Sequence, residues 1–296
     1  WNARLMPPST RPAAMNSTPP WPPVRRHRLR FALSSKAMRF RPVFAALCLA
    51  AASPAAAEFS IPQATAAKIG QRIWQNECAG SVAGLTSWNG GENFASLGIG
   101  HFIWYPQGVR GPYEESFPGL VRHLTARGAK VPKWLSAAKA CPWPNRAAFS
   151  AAQKSAPMQE LRGLLAATVP LQAEFAAQRS VASLPKILAA APKGERASLQ
   201  AKFGALSATG AGLYCLMDYV NFKGEGTNPA ERYKGEGWGL LQVLHAMPDV
   251  TPARAPAAFA AAAKQVLDRR IAIAPKNESQ WRAGWFSRCD SYARGL

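Results

Sequence analysis

Glu77 ends a run, Ile61 to Glu77, in which Ala66, Ile69, Ile73 and Trp74 recur at helical spacing. The spacing predicts a helix with one apolar stripe, and Glu77 falls on that stripe. A carboxyl drawn towards the packed side is partly desolvated, and a helix C-terminus carries partial negative charge. Both effects favour the protonated form, which a general acid needs at neutral pH. Taken alone, the residue is equally a solvated glutamate at a helix end. Glycoside chemistry commonly asks for a second carboxyl, and Glu92 is a candidate for it. Glu92 is also a natural turn-flanking surface residue.

The elements that must position these side chains are legible in outline. Leu85-Thr86-Ser87-Trp88, then Asn89-Gly90-Gly91, then Asn93 to Ile103 read as a β-hairpin turning at Asn-Gly. Residues 116–220 return to helical spacing, broken at Pro132, Pro144, Pro157, Pro170, Pro185 and Pro192. Asn221 to Gly239 is a glycine-rich polar loop carrying Tyr233 and Trp238, and a loop of that length in a compact domain is usually functional or disordered. Two helices close the chain, about 256–273 and 278–293, the second capped by Asn277 with Gln280. Trp281, Trp285, Cys289 and Tyr292 share one face of it, a core stripe first and a sugar platform second.

A Glu that ends a helix and is followed by a hairpin with Gly-Ile-Gly-His resembles the phage-type lysozymes. The matching residues are Glu77 and Ser96-Leu97-Gly98-Ile99-Gly100-His101. The resemblance is dense over residues 70–105 and implies a lysozyme-like fold with Glu77 as the catalytic acid. Ser96 stands where the family has a water-positioning Thr, and His101 matches a structural His that bonds near the acid. The family's catalytic Asp would fall near Gly90, where there is no carboxylate; Asn89 and Glu92 flank that point. Gly235-Glu236-Gly237-Trp238-Gly239-Leu240-Leu241-Gln242 is similar to the Gly-Leu-Met-Gln segment of soluble lytic transglycosylases and goose-type lysozymes. That similarity implies sugar contacts for Trp238 and Gln242, with Glu225, Tyr233 and Glu236 in the same loop. A helix start with a buried Gln is the competing reading. Trp104 and Tyr105 are equally suited to stacking on sugar and to burial.

The address of the protein bears on its substrate. Residues 1–37 read as an upstream or disordered leader. Met38 to Ala57 reads as an export signal: Arg39 and Arg41, the apolar stretch Val43 to Ala52, then Ala55-Ala56-Ala57 before Glu58, with cleavage after Ala57. The apolar stretch is too short to span a bilayer. Of the 36 basic residues the first 57 positions hold nine, and no acidic residue, so the net charge falls from +20 to +11 on cleavage. A basic protein in the periplasm or medium meets anionic envelope glycans rather than nucleic acid. Cys78, Cys141, Cys215 and Cys289 would form two disulfides in an oxidising compartment, with three pairings open.

Other chemistries lack their parts. Ser136-x-x-Lys139 has no companion Ser-Asp-Asn or Lys-Thr-Gly. Gly-x-Ser-x-Gly, His-Glu-x-x-His, Cys-x-x-Cys and a phosphate-binding glycine loop are missing from the sequence. His101, His123 and His245 show no metal-ligand spacing, and neither metal nor cofactor is implied. The expectation is an α+β, predominantly helical, lysozyme-like domain over residues 58–296, with a helical insertion at about 116–220. It would act as a monomer on peptidoglycan or a related amino-sugar polymer, by hydrolysis or, through Glu77 alone, by transglycosylation. A non-catalytic glycan-binding envelope protein of the same fold is the rival from another class.

Overall fold

The computed structural model describes residues 61–296, except Pro112 and Ala230. The expected leader and export signal, residues 1–57, lie outside the described residues. The first helix, α1 (Gln63–Cys78), ends where Ala79 turns into the left-handed region at φ 50° and Gly80 N–H reaches back to the Trp74 carbonyl at 3.2 Å. Three short strands follow: β1 (Thr86–Ser87), β2 (Ala95–Leu97) and β3 (Phe102–Trp104), antiparallel in that order, with Ser87 opposite Ser96 and Ser96 opposite Ile103.

The single Asn-Gly hairpin expected here is two connections. Residues 88–94 form a loop rather than a two-residue turn: Glu92 N–H bonds the Asn89 carbonyl at 3.3 Å, and the Trp88 indole N–H bonds the Glu92 carbonyl at 2.9 Å. The tight turn comes later, at Gly98-Ile99-Gly100-His101, between β2 and β3. Two of its residues occupy the left-handed region, Gly98 at φ 72° and His101 at φ 46°. The Gly-Ile-Gly-His motif is therefore the hairpin turn itself.

Among the described residues nine α-helices follow before the last pair: α2 (Phe117–Ala126), α3 (Lys133–Ala137), α4 (Arg146–Ala151), α5 (Ala156–Ala167), α6 (Val169–Ala182), α7 (Leu184–Ala190), α8 (Arg196–Ser207), α9 (Gly210–Lys223) and α10 (Leu240–Ala246). The pair is α11 (Ala255–Ile273) and α12 (Arg282–Ala293). Several of the prolines read as breaks instead begin helices. Pro157, Pro170 and Pro185 occupy the first turns of α5, α6 and α7, where the missing N–H is no loss and the fixed φ suits the helix. Ser155 and Thr209 cap α5 and α9 through their hydroxyls. Asn277 receives Ser279 N–H at 2.9 Å in a local turn. The cap positions of the 3-10 turn Ser279–Trp281 and of α12 are Glu278 and Trp281, which make no side-chain capping bond, so the expected Asn277–Gln280 cap is not formed.

The helices of 116–220 are not an appendage. Their buried residues join those of α1, the sheet and α10–α12 in one hydrophobic cluster. Helix α6 lies along α1 so closely that a β-carbon on Gly70 would come within 2.9 Å of the Val169 carbonyl oxygen. Helix α9 is buried on every side: Leu213, Tyr214, Cys215, Leu216, Met217 and Tyr219 are all in the core, and so is Asp218. No helix among the described residues is long and apolar enough to cross a membrane.

The expected disulfides are not formed. Among the described residues Cys78, Cys141, Cys215 and Cys289 are all buried free thiols. Cys78 donates to the Gly84 carbonyl at 3.3 Å and Cys215 to the Ala211 carbonyl at 3.1 Å, so each serves as a small packing residue with a local partner. Burial pushes Cys78, Cys141 and Cys289 up to about 12, with the Glu77 charge adding at Cys78. Neutral thiols below that range react poorly. Ellman's reagent at pH 8 should find none of the four in the native 58–296 chain and all four after unfolding in guanidinium chloride. A count below four after unfolding without reductant would show that the thiols pair in solution.

Candidate functional site at Glu77

Three parts of the chain converge on the last turn of α1. The Glu77 side chain is 8% exposed, with Arg288 on one side and His101 on the other. Arg288 of α12 donates from Nη2 to Glu77 Oε1. His101, at the end of the β2–β3 turn, places Nδ1 3.7 Å from Glu77 Oε2. The burial expected from the apolar stripe is present, and with it an ion pair to a residue 211 positions downstream.

Arg288 is itself held. Asp218 Oδ2 accepts from its Nε at 2.8 Å and Oδ1 from its Nη2 at 2.9 Å, a fork-to-carboxylate pair. Burial opposes the guanidinium charge, but Asp218 and then Glu77 outweigh it and hold Arg288 well above the usual arginine range. Asp218 is fully buried and also accepts from Asn76 Nδ2 at 3.0 Å and from the Tyr292 hydroxyl at 2.7 Å. Asn76 bonds the Tyr214 hydroxyl at 2.8 Å, and Tyr214 meets Ser291 at 2.9 Å. This polar network joins α1, α9 and α12, and its members are satisfied by one another. A buried acid is tolerated only under that condition.

The turn that delivers His101 is braced by Gln172 of α6. Its Oε1 accepts Ile99 N–H at 3.0 Å, and its Nε2 donates to the Leu165 carbonyl at 2.6 Å and to Thr168 Oγ1 at 3.1 Å. Gly98 is required twice over: its φ is positive, and a β-carbon there would lie 2.4 Å from Gln172 Oε1. Gly100 leaves room for the Phe102 ring, which a β-carbon would approach to 2.8 Å.

The glycine-rich loop is clasped at its base. Gly239 N–H donates to Gln242 Oε1 at 2.9 Å, and Gln242 Nε2 donates to the Gly226 carbonyl at 3.1 Å. Both ends of the Gln242 amide therefore serve the loop backbone. Tyr233 and Trp238 face each other with ring centres 4.5 Å apart, and the Tyr233 hydroxyl bonds Glu278 at 3.1 Å. From Trp238 a series of alternating rings and cations runs back towards Glu77. Arg270 lies 4.1 Å over Trp238 and 5.1 Å from Trp285. Lys223 lies 3.5 Å over Trp285 and 4.2 Å from Phe222, and Arg288 sits 4.4 Å over Phe222. Burial, followed by the Arg270 charge, presses Lys223 well below the usual lysine range. Such contacts strengthen when desolvated, and they tie the loop to Arg288 through packed side chains.

The remaining candidates are placed as follows. Ser96 is buried in the middle strand, two residues before the turn. Glu92 is half-buried in the 88–94 loop, its carboxylate bonded to Asn89 Nδ2 at 3.1 Å. Its charge bears on Tyr105. Glu225 pairs with Lys186, and Glu236 is exposed with Arg269 at 3.4 Å. Trp104 and Tyr105 are both buried in the core. Two surface clefts, of about 540 and 220 Å³, lie elsewhere, one beside Arg127 and Lys130 and the other beside Glu195 and His245. Among the described residues no cluster of His, Cys, Asp and Glu has the makings of a metal site.

Asp218 and Arg288 escaped the sequence reading. A signal for the first exists: Asp218 is the single acid in an apolar run, Leu213 to Phe222, and an acid in a helix buried all round must be paired. Nothing local pointed to Arg288. No family model, curated protein or solved structure matches the chain.

Two outcomes follow from these contacts. Gln172→Leu strands the Ile99 N–H in the core and leaves the Leu165 carbonyl with only the long bond from Thr168 N–H at 3.4 Å, and about 3 kcal/mol of unfolding free energy should be lost in a urea titration. A loss under 1 kcal/mol would mean that the turn holds itself. Glu278 is opposed by burial, but the hydrogen bond and charge of Arg270, with Tyr233, hold it below its ordinary value of 4.5. Its contribution is present above that value and is lost as the pH falls through the lower, folded one. Trp238 fluorescence should therefore report a loosened loop in acid, and Glu278→Gln should abolish that acid transition.

Proposed function

We propose that the chain is a lysozyme-like glycosidase of the bacterial envelope, cleaving peptidoglycan with Glu77 as the proton donor. The observation that carries the reading is the meeting at one buried carboxyl of the α1 terminus and the His101 end of the Gly-Ile-Gly-His turn. These two are among the pieces through which the sequence resembles the lysozymes. The net charge of +11 expected after export favours an anionic polymer.

In this mechanism Glu77 protonates the oxygen between two amino sugars as the bond breaks. Asp218 is not the second acid, because it is fully buried and bonded to Arg288, Asn76 and Tyr292. Glu92, or one of the loop acids Glu225 and Glu236, is left to direct water, with Ser96 in the water-positioning place of the resembled family. If none of these directs water, the sugar's own hydroxyl attacks and an anhydro sugar is left. The Arg288 ion pair favours a second reading, a glycan-binding protein in which Glu77 is structural.

One experiment separates these. Purified wild type and Glu77→Gln are incubated with peptidoglycan sacculi, and the released fragments are identified by mass spectrometry. Wild type should release muropeptides, and Glu77→Gln should be slower by about a thousandfold. Reducing ends denote hydrolysis and anhydro ends transglycosylation. Binding without release by wild type would establish the second reading, and equal release by both proteins would remove Glu77 from the chemistry.

A further inference from the structure

We propose that Asp218 is a positioning residue for the reaction at Glu77. By occupying two nitrogens of Arg288 it keeps the guanidinium from closing on the catalytic carboxyl, so that Glu77 is anchored through Oε1 alone and Oε2 is left to carry the proton. The inference rests on the reading of Glu77 as the acid.

The geometry is asymmetric. Arg288 presents Nε and Nη2 to the two oxygens of Asp218 at 2.8 and 2.9 Å, and only the remaining hydrogen of Nη2 turns to Glu77 Oε1. Asp218 cannot follow a moving arginine. It is fully buried and is held from α1 by Asn76 and from α12 by Tyr292. On the other side of Glu77, Oε2 has His101 Nδ1 at 3.7 Å, beyond hydrogen-bonding distance. One carboxyl oxygen is thus pinned and the other faces the turn.

The charges point the same way. A single guanidinium stands between two carboxyl groups, with His101, Cys78, Tyr214, Cys215, Lys223, Cys289 and Tyr292 as the other titratable neighbours of the cluster. Asp218 receives donors from Arg288, Asn76 and Tyr292, and of the two carboxyl groups it bears the more strongly on the Arg288 charge. Without Asp218 the guanidinium has one carboxylate left to face. It would close on Glu77, and a carboxylate locked in a one-to-one ion pair does not donate a proton.

The test compares the full chain as wild type, Asp218→Asn and Arg288→Lys in the muropeptide assay, from acid to neutral pH, with sacculus binding measured in parallel. Asp218→Asn should lower kcat by about a hundredfold and leave KM and sacculus binding unchanged. The alkaline limb of its activity should move to lower pH. A merely structural role would lower the amount of folded protein and leave the limb where it was. Arg288→Lys keeps the charge, loses the fork and should lower kcat in the same way, and it decides the matter if Asp218→Asn does not fold. Cleavage by wild type with an unchanged kcat and pH profile in the folded variant overturns this inference alone. A wild type that binds sacculi and cuts nothing overturns the reading of Glu77, and this inference with it.

Discussion

Arg288 carries one positive charge and faces two buried carboxyl groups from different helices. Most of what is specific about the site follows from that imbalance. Removing either partner of a buried pair typically costs about 3–5 kcal/mol, because the other charge is left without water. Helix α12 must therefore dock where its arginine meets both α1 and α9, and it does so with Tyr292 and Cys289 filling the core beneath. The aromatic rings stacked beside the arginine exclude water from the pair. They also extend its influence to Lys223, Arg270 and the loop that begins at Gly224.

The other half of the site is held by a neutral device. Gln172 gives one amide oxygen to the backbone of the β2–β3 turn and one amide N–H to the end of α5. It converts a short, weakly paired sheet into a fixed ledge for His101. Three strands of two or three residues would not hold their shape alone. Packing against α6 and the polar brace from it do that work. The glycine-rich loop repeats the solution with Gln242, whose amide closes the loop's base on itself. The β2–β3 turn and the glycine-rich loop are thus each pinned by a glutamine side chain.

Much of the local structure was legible in the residues. The apolar stripe of α1 placed Glu77 at a helix end facing the packed side, and the last two helices fall within a few residues of their expected positions. The hairpin was seen but its turn was misplaced. Asn89-Gly90 is a strong short-range turn signal, whereas the Gly98 turn depends on the Gln172 contact from 73 residues away. The prolines of 116–220 marked helix starts, since a proline at the first turn and a proline between helices look alike in one dimension. The cysteines, read by compartment, are separate packing residues whose sulfurs turn to nearby carbonyls.

By itself the sequence determined that the chain is mostly helical, that a small β region follows the first helix, and that Glu77 sits at the junction between them. Period and turn chemistry are local properties, so they survive without the fold. Only the tertiary structure decided who holds Glu77. Arg288 lies 211 residues away and Asp218 lies in a helix whose burial is a matter of packing, so their meeting is a long-range event that no spacing encodes. The partners of Glu77 depend on that meeting, because a buried carboxyl must be paired and its partner is set by how the helices pack.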